Sequence, residues 1–151
     1  MLYRRSENMG LNSGAHIKYE LVYHVQWCTK YRYRIFGNDE VRCDYENALT
    51  TVASWHGIQL IEFAVMPEHV HAIVSVPSTM SISDIFRFLK GGTSFQFFRI
   101  HPEMRMRYPQ GHLFSPGKFC RSVGPVDMDR EINYVRNQSR HHAIDARQRR
   151  L

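Results

Sequence analysis

The stretch from Ile17 to Trp27 constrains the fold more than any other part of the sequence. Apolar or aromatic residues occupy positions 17, 19, 21, 23, 25 and 27, and Lys18, Glu20, His24 and Gln26 lie between them. Successive side chains of a β-strand point to opposite faces, so this period of two predicts a half-buried strand. A strand with one apolar face needs neighbouring strands and a covering layer, and the chain is therefore expected to build a sheet.

Further periodic segments complete the predicted order of elements. Asn38 is a favourable start for a helix whose apolar stripe comprises Val41, Ala48, Leu49, Val52 and Trp55, and which Gly57 ends. Two strands are predicted next, at 58–65 and 69–76. A helix follows from Ser81 to Lys90, and Gly91-Gly92 should bend or interrupt it before 95–100. The last predicted elements are a strand near 114–123, with a turn or bulge at Pro116-Gly117, and a helix from Asp127 to about Ala143.

This β-α-β-β-α-β-α order predicts an α+β fold with a ferredoxin-like, RRM-like antiparallel sheet, helices on one face and a C-terminal helix. We expect residues 1–15 to form a flexible leader, 16–145 a single domain and 146–151 a basic tail.

Composition narrows the class of protein. With 151 residues, 43% of them hydrophobic, the chain can bury one core, and its apolar runs are too short for a membrane span. The N-terminus lacks the apolar region of a secretory signal. Cys28, Cys43 and Cys120 are scattered, which favours reduced thiols in a cytoplasmic protein. A formal charge of +6 and a pI near 9.5 favour an anionic partner, nucleic acid first.

Two basic segments strengthen that expectation. Tyrosines alternate with cationic residues in the run from Lys30 to Arg34. The segment from Arg136 to Leu151 contains five arginines and only one acidic residue. Cations bind phosphates and tyrosines stack on bases, as single-stranded nucleic acid requires. The alternative interpretations are a solvated strand end for the first segment and a frayed tail for the second.

A histidine pair is the first candidate for chemistry. Alternation along the predicted strand places His69 and His71 on one face and Val70, Ala72 and Val74 on the other. Two imidazoles at this spacing can converge on a divalent cation, although a site needs a third ligand. The alternative is a hydrogen-bonded pair without metal. Ile73 at the third alternating position excludes a histidine-triad hydrolase, and the spacing does not fit an H-E-x-x-H protease.

The last helix supplies the second candidate. Met128, Ile132, Val135 and Ser139 share one narrow face that should contact the core, while Tyr134 and Gln138 lie to one side of it, stacked one turn apart. Together with the histidines, a phenol and an amide are the components of a metal-assisted site in which a tyrosine attacks a phosphodiester.

The sequence resembles the small insertion-sequence transposases with one catalytic tyrosine, of the HUH endonuclease superfamily. The resemblance covers about residues 17–140. The motifs that carry it are YHVQWCTKYR at 23–32, MPEHVH at 66–71, LKGGTS at 89–94, FSPG at 114–117, RSVG at 121–124 and YVRNQ at 134–138.

The resemblance implies a function and a set of site residues. Tyr134 would be the nucleophile that takes a 5′-phosphate of single-stranded DNA, and His69, His71 and Gln138 would hold Mg²⁺ or Mn²⁺. The enzyme would act as a homodimer on DNA hairpins near the ends of the element, with Tyr134 of one subunit serving the histidines of the other. Candidate DNA contacts are Lys30, Tyr31, Arg32, Tyr33, Arg34, Lys90, Lys118, Arg121, Arg136 and Arg140.

Two other functions fit the same sequence. One is a domesticated or replication-type nickase with the same chemistry. The other is a non-catalytic domain that reads bases on the exposed face of its sheet and needs no metal. The clustered histidines, Tyr134 and Gln138 argue against this second alternative.

Overall fold

The structure is a computed structural model that describes residues 11–148, with side chains described for residues 11–140. The elements in chain order are β1 (Asn12–Ser13), β2 (Lys18–Tyr19), β3 (Val22–Thr29), α1 (Asp39–Trp55), β4 (Gln59–Val65), β5 (His69–Ser75), α2 (Ile82–Phe86), α3 (Thr93–Ile100), β6 (Phe114–Ser122) and α4 (Met128–Gln148). Apart from the short hairpin at the start, this is the predicted order.

The strand predicted over 17–27 is divided into two. Its first part, β2, pairs with β1, and its second part, β3, enters the main sheet and continues to Thr29. Part of the predicted leader therefore lies in a hairpin, while residues 1–10 lie outside the described residues.

The main sheet is antiparallel and has the strand order β4-β5-β3-β6. β5 and β3 occupy its centre, and Gln26 of β3 stands opposite His71 of β5. The predicted irregularity in β6 is confirmed, because its register against β3 shifts between the pairs Trp27–Lys118 and Thr29–Phe114. A β-bulge of this kind accommodates Pro116-Gly117 within the strand.

The larger core lies between one face of the sheet and helices α1, α2 and α3. Val25, Val70 and Val74 face these helices and are buried, as alternation predicts. The Asn38 side chain accepts a hydrogen bond from the Val41 amide at 3.1 Å, which confirms the predicted start of α1. Trp55, predicted to belong to the apolar stripe, is 61% exposed because it is the last residue of α1.

Gly91-Gly92 does not interrupt the second helical region. Residues Arg87–Gly92 form a π-helical segment that joins α2 to α3 directly. The glycine at 92 permits a close approach between this segment and α1, since a Cβ there would lie 2.9 Å from Cγ1 of Val52. Ser81, where the sequence predicts the start of this helix, forms a capping box with Asp84.

Helix α4 covers the opposite face of the sheet. Met128, Ile132 and Val135 pack there in a second apolar cluster, which includes Val22, Ala64, Met66, Ile73 and Val123. These three residues confirm the predicted core face of the helix. Ser139 continues the same stripe but is exposed, because the apolar cluster ends at Val135. α4 is also longer than predicted, reaching Gln148.

The helices and the cysteines bear on two expectations drawn from composition. Among the helices of residues 11–148, none is long and apolar enough to cross a membrane. The three cysteines, all within the described residues, form no disulfide.

The packing of α4 in the second apolar cluster allows a prediction of the free energy with which the helix docks on the sheet. Ile132→Ala should weaken the docking of α4 by about 2–4 kcal/mol, because it removes buried methyl groups and leaves a cavity. The measurement is the hydrogen-exchange free energy of the α4 amides. Asn133→Ala, at the exposed neighbouring position, should change it by no more than about 0.5 kcal/mol. Equal effects of the two substitutions would contradict the packing of α4 on this face.

Candidate active site

The histidine pair lies on the face of the sheet that α4 covers. His69 is the first residue of β5, and the ring centroids of His69 and His71 are 4.9 Å apart. His71 is only 3% exposed, whereas His69 is less deeply buried. The strand period therefore places both imidazoles on one face, as predicted, beside the helix that carries the tyrosine.

Tyr134 reaches this histidine pair from α4. Its ring centroid is 5.9 Å from that of His71, and its side chain is 48% exposed. Ile132 and Val135 fix the rotation of the helix by packing on the sheet, so that position 134 lies beside the histidines with one side open to solvent. Docking of α4 on its own sheet brings Tyr134 to the histidines of the same chain. The expectation that Tyr134 serves a partner's histidines stays a prediction.

A third histidine, missed in the sequence analysis, completes the cluster. His24 of β3 is 5% exposed, and its ring centroid lies 5.8 Å from that of Tyr134. Its Nε2 is 3.1 Å from Nδ1 of His71, and its Nδ1 is 2.9 Å from Oε2 of Glu131. The alternation of β3 already placed His24 on the polar face. Only the pairing of β3 with β5 shows that this face is the one that carries His71.

Burial and neighbouring imidazoles affect the protonation of His71. Burial, together with His69 and then His24, lowers the pKa of His71 to about 4. His71 is therefore a neutral imidazole at physiological pH. His69 is differently placed, because its Nδ1 lies 3.0 Å from Oε1 of Glu68.

A cavity of about 340 Å³ opens beside these residues. It is lined by His24, Gln26, Phe119, Arg121, Arg130, Glu131 and Tyr134. The two arginines are cationic and largely exposed, and they border the same space as the phenol of Tyr134. The cavity therefore suits an anionic group such as a phosphate.

The donor set is compatible with a divalent cation. Nδ1 of each imidazole in the pair is engaged in a hydrogen bond, and Nε2 of each has no hydrogen-bond partner among the described residues. Gln138 lies one turn after Tyr134 on α4 and is half-buried. Within the described part of the chain, no three His, Cys, Asp or Glu side chains group as a metal site. A third protein ligand of another type, such as the amide of Gln138, would complete the set.

The basic run after β3 forms a tight turn. Lys30–Arg32 is a 3-10 turn in which Tyr31 and Arg32 have φ values of 61° and 53°. Tyr31 is exposed, and its ring is tilted relative to that of Tyr33, with centroids 5.2 Å apart. Arg34 lies 3.7 Å from Glu68. The predicted contacts of this run thus include an exposed aromatic ring on a cationic loop.

Other predicted DNA contacts lie elsewhere. Lys30 and Lys90 border a second cavity of about 680 Å³. The Lys90 Nζ donates to the carbonyl oxygen of Ser115 at 2.8 Å, and burial, followed by the nearby Lys118, lowers the pKa of Lys90. Lys118 itself lies over the ring of Phe86.

The two predicted contacts on α4 differ from each other. Arg136 donates to Oε2 of Glu62 from Nη2 at 3.0 Å and from Nε at 3.2 Å, which ties α4 to β4. Arg140 is exposed one turn further along. Arg121, on β6, lies at the cavity beside the histidines. The predicted contacts therefore occupy separate surfaces, and their role in binding DNA stays a prediction.

Comparisons with known proteins agree on one class. The chain is 28% identical to the ISDra2 transposase TnpA of Deinococcus radiodurans over 128 residues, which is 85% of this chain and 91% of the relative. It is 24% identical over 110 residues to the transposase for insertion sequence element IS200 of Salmonella typhimurium, covering 73% of this chain and 72% of that protein.

Solved structures show the same fold. A crystal structure of a protein assigned as a transposase from Deinococcus radiodurans R1 has a TM-score of 0.69 and 28% identity, and the match covers 84% of this chain and 97% of the other. A REP-associated tyrosine transposase bound to a REP hairpin has a TM-score of 0.56 at 16% identity, with 84% and 70% covered. At that identity the second likeness shows the fold alone.

The α+β fold and these relatives define the class: the protein is a DNA transposase. More narrowly, the family model for IS200-like transposases matches residues 17–138, and the chain belongs to that family. Its activity is accordingly DNA binding, cleavage and strand transfer in transposition.

Proposed function

We propose that the protein cleaves and rejoins single-stranded DNA at insertion-sequence ends through a covalent bond between Tyr134 and a 5′-phosphate. The observation that carries this proposal is the juxtaposition of Tyr134 with His71, whose ring centroids are 5.9 Å apart beside a cavity lined by Arg121 and Arg130. A phenol next to imidazoles and guanidinium groups can meet a phosphodiester there.

The chemistry follows from the groups present. The Tyr134 oxygen attacks phosphorus, the bond from phosphorus to the 3′-oxygen breaks, and the leaving oxygen takes a proton to become a 3′-hydroxyl. The phenolic proton is released as the new ester forms. Because a phosphodiester is exchanged for a phosphotyrosine ester, a 3′-hydroxyl can later attack the link and restore a DNA strand. Arg121 and Arg130 offer positive charge to the phosphate oxygens.

His69, His71 and Gln138 would hold the divalent cation. A bound Mg²⁺ or Mn²⁺ would polarise a phosphoryl oxygen and so favour attack at phosphorus. Mg²⁺ is a hard cation that prefers oxygen ligands, whereas the transition-metal ion Mn²⁺ accepts imidazole nitrogen more readily. We therefore expect Mn²⁺ to bind more tightly than Mg²⁺.

The proposed substrate is single-stranded DNA that carries hairpins. One protein of the same fold was solved bound to a REP hairpin, and the second cavity of this chain offers Lys30 and Arg105 beside the exposed ring of Phe95. Cationic and aromatic groups side by side suit phosphates and unpaired bases.

The cover that α4 provides weighs against a purely base-reading domain. An RRM-like domain stacks bases on an open sheet, whereas Met128, Ile132 and Val135 of α4 occupy that face here. The histidine cluster lies next to the covering helix, where a reaction centre is protected on one side.

We also propose that the protein is a homodimer. The composite arrangement implied by the resemblance requires α4 to dock on the partner's sheet. Such an exchange would conserve the contacts of Ile132 and Val135, because both subunits present the same surface. The contacts within one chain favour a site that belongs to a single subunit.

Tyr134→Phe should reduce the denaturation-resistant protein–DNA adduct by about a thousandfold or more, since only the attacking oxygen is lost. Labelled single-stranded DNA with Mn²⁺, followed by denaturing electrophoresis, measures the adduct. Tyr19→Phe, at a half-buried tyrosine of β2 outside the predicted site and DNA contacts, should leave adduct formation intact. An adduct of undiminished yield in Tyr134→Phe would identify a different nucleophile.

His69→Ala and His71→Ala should each weaken Mn²⁺ binding by at least about tenfold and abolish metal-dependent cleavage, while Gln138→Ala should have a milder effect because an amide is a weaker ligand. Calorimetric titration with MnCl₂ measures the affinity. His16→Ala, at an exposed histidine outside the cluster, is the control. Unchanged affinity and cleavage in the three site variants would refute the metal assignment.

Mixing Tyr134→Phe with the His69→Ala/His71→Ala double variant tests the composite arrangement. If sites form within one chain, as the contacts of α4 favour, each subunit has one defect and the mixture stays inactive. Recovery of cleavage would show instead that α4 docks on the partner. Subunit exchange is verified separately with differently tagged chains.

A further inference from the structure

A chain of hydrogen bonds runs from α4 into the histidine pair. It joins Oε2 of Glu131 to Nδ1 of His24 at 2.9 Å, and Nε2 of His24 to Nδ1 of His71 at 3.1 Å. We infer that His24 and Glu131 are positioning residues that hold His71 in the tautomer required to bind the cation. The inference rests on the proposed role of His71 as a metal ligand.

The chemistry of the groups determines which atom donates in each of these hydrogen bonds. A carboxylate oxygen accepts hydrogen bonds, so Nδ1 of His24 must donate to Glu131. A neutral imidazole with its proton on Nδ1 has a lone pair on Nε2. Nε2 of His24 therefore accepts, and Nδ1 of His71 donates to it. The His71 proton is then on Nδ1, and the lone pair of its Nε2 is available to a metal.

Burial and packing stabilise these hydrogen bonds. His24 and His71 are buried, and the Glu131 side chain is only 13% exposed, so water competes little for these bonds. The ring of Phe119 meets that of His24 edge-on, with centroids 5.8 Å apart. Buried hydrogen bonds and a packed ring together fix the orientation of the His24 imidazole.

His69 is oriented by a carboxylate directly, without an intervening histidine. Nδ1 of His69 donates directly to Oε1 of Glu68 at 3.0 Å, which also leaves its Nε2 lone pair free. Both candidate ligands are thus oriented by a carboxylate, one directly and the other through His24. Carboxylate partners of this kind fix the tautomer and raise the basicity of metal-ligating histidines.

Glu131 lies on the same helix as Tyr134. It lies on α4, three residues before Tyr134, and therefore on the same side of the helix. The helix that supplies the nucleophile also supplies the acceptor that orients His71. Docking of α4 thus places Tyr134 and orients a metal ligand in one event.

The first test needs neither DNA nor metal. In the full chain labelled with ¹⁵N-histidine, long-range ¹H–¹⁵N correlation spectra at neutral pH report which ring nitrogen carries the proton. We expect both His24 and His71 to be protonated on Nδ1. A His71 ring protonated on Nε2 would overturn the inference without any variant, while leaving the result of the Tyr134→Phe adduct assay unaffected.

Variants then separate hydrogen bonding from packing. His24→Phe keeps a ring but removes the acceptor, so His71 should lose its preference for Nδ1–H and Mn²⁺ should bind about 10–100-fold more weakly. His24→Gln retains an acceptor near the position of Nε2 and should restore most of the affinity and the tautomer. Phe119→Leu alters the packing of His24 without removing a bond, and His71 should keep its tautomer.

The pattern across these variants decides the question. Loss in His24→Phe with recovery in His24→Gln supports a positioning role. Equal losses in the two variants, or unchanged Mn²⁺ affinity in His24→Phe, would overturn it. Cleavage that proceeds with no covalent adduct would refute the proposed function and would not alter the tautomer result, so the two failures are distinguishable.

Discussion

The pairing of β3 with β5 at the centre of the sheet is the interaction on which both faces of the molecule depend. Its register sets Gln26 opposite His71 and Val25 opposite Ala72. One face of the two strands consequently belongs to the core under α1, α2 and α3, and the other presents the imidazoles to α4. A slip of one residue would turn the histidines of one strand into the apolar core. Core formation and site formation therefore select the same register.

Helix α4 converts this polar patch into a site. Apolar residues on one side of the helix pack on the sheet, and the Arg136–Glu62 ion pair ties it to β4. Tyr134, beside the apolar stripe, is left half-exposed next to the histidines. A side chain proposed to react with a long, charged polymer needs this combination of fixed position and open access, which neither the buried core nor a loop would provide.

Local patterns in the sequence predicted the elements and much of the site. The two-residue period of β5, the Asn38 cap of α1 and the apolar spacing of Met128, Ile132 and Val135 are local properties, and each was confirmed. The errors concern where elements meet. Trp55 and Ser139 continue apolar stripes beyond their packing partners, and the bonds of His24 to His71 and Glu131 span 47 and 107 residues. Periodicity within a segment carries no information about such contacts, whereas family resemblance supplied the roles expected of Tyr134 and the histidine pair.

The two apolar clusters on opposite sides of the sheet have a thermodynamic consequence. The cluster beneath α4 is much the smaller, so α4 can open with a lower free energy than the rest of the chain needs to unfold. An opened molecule would keep its sheet and its other helices while Glu131, Tyr134 and Gln138 left together. Substitutions beneath the helix, as at Ile73, would then lower the measured rate by reducing the fraction of closed molecules, and each closed molecule would react at the normal rate. The measured activity would then depend on the fraction of molecules with α4 docked as well as on the chemistry of the site.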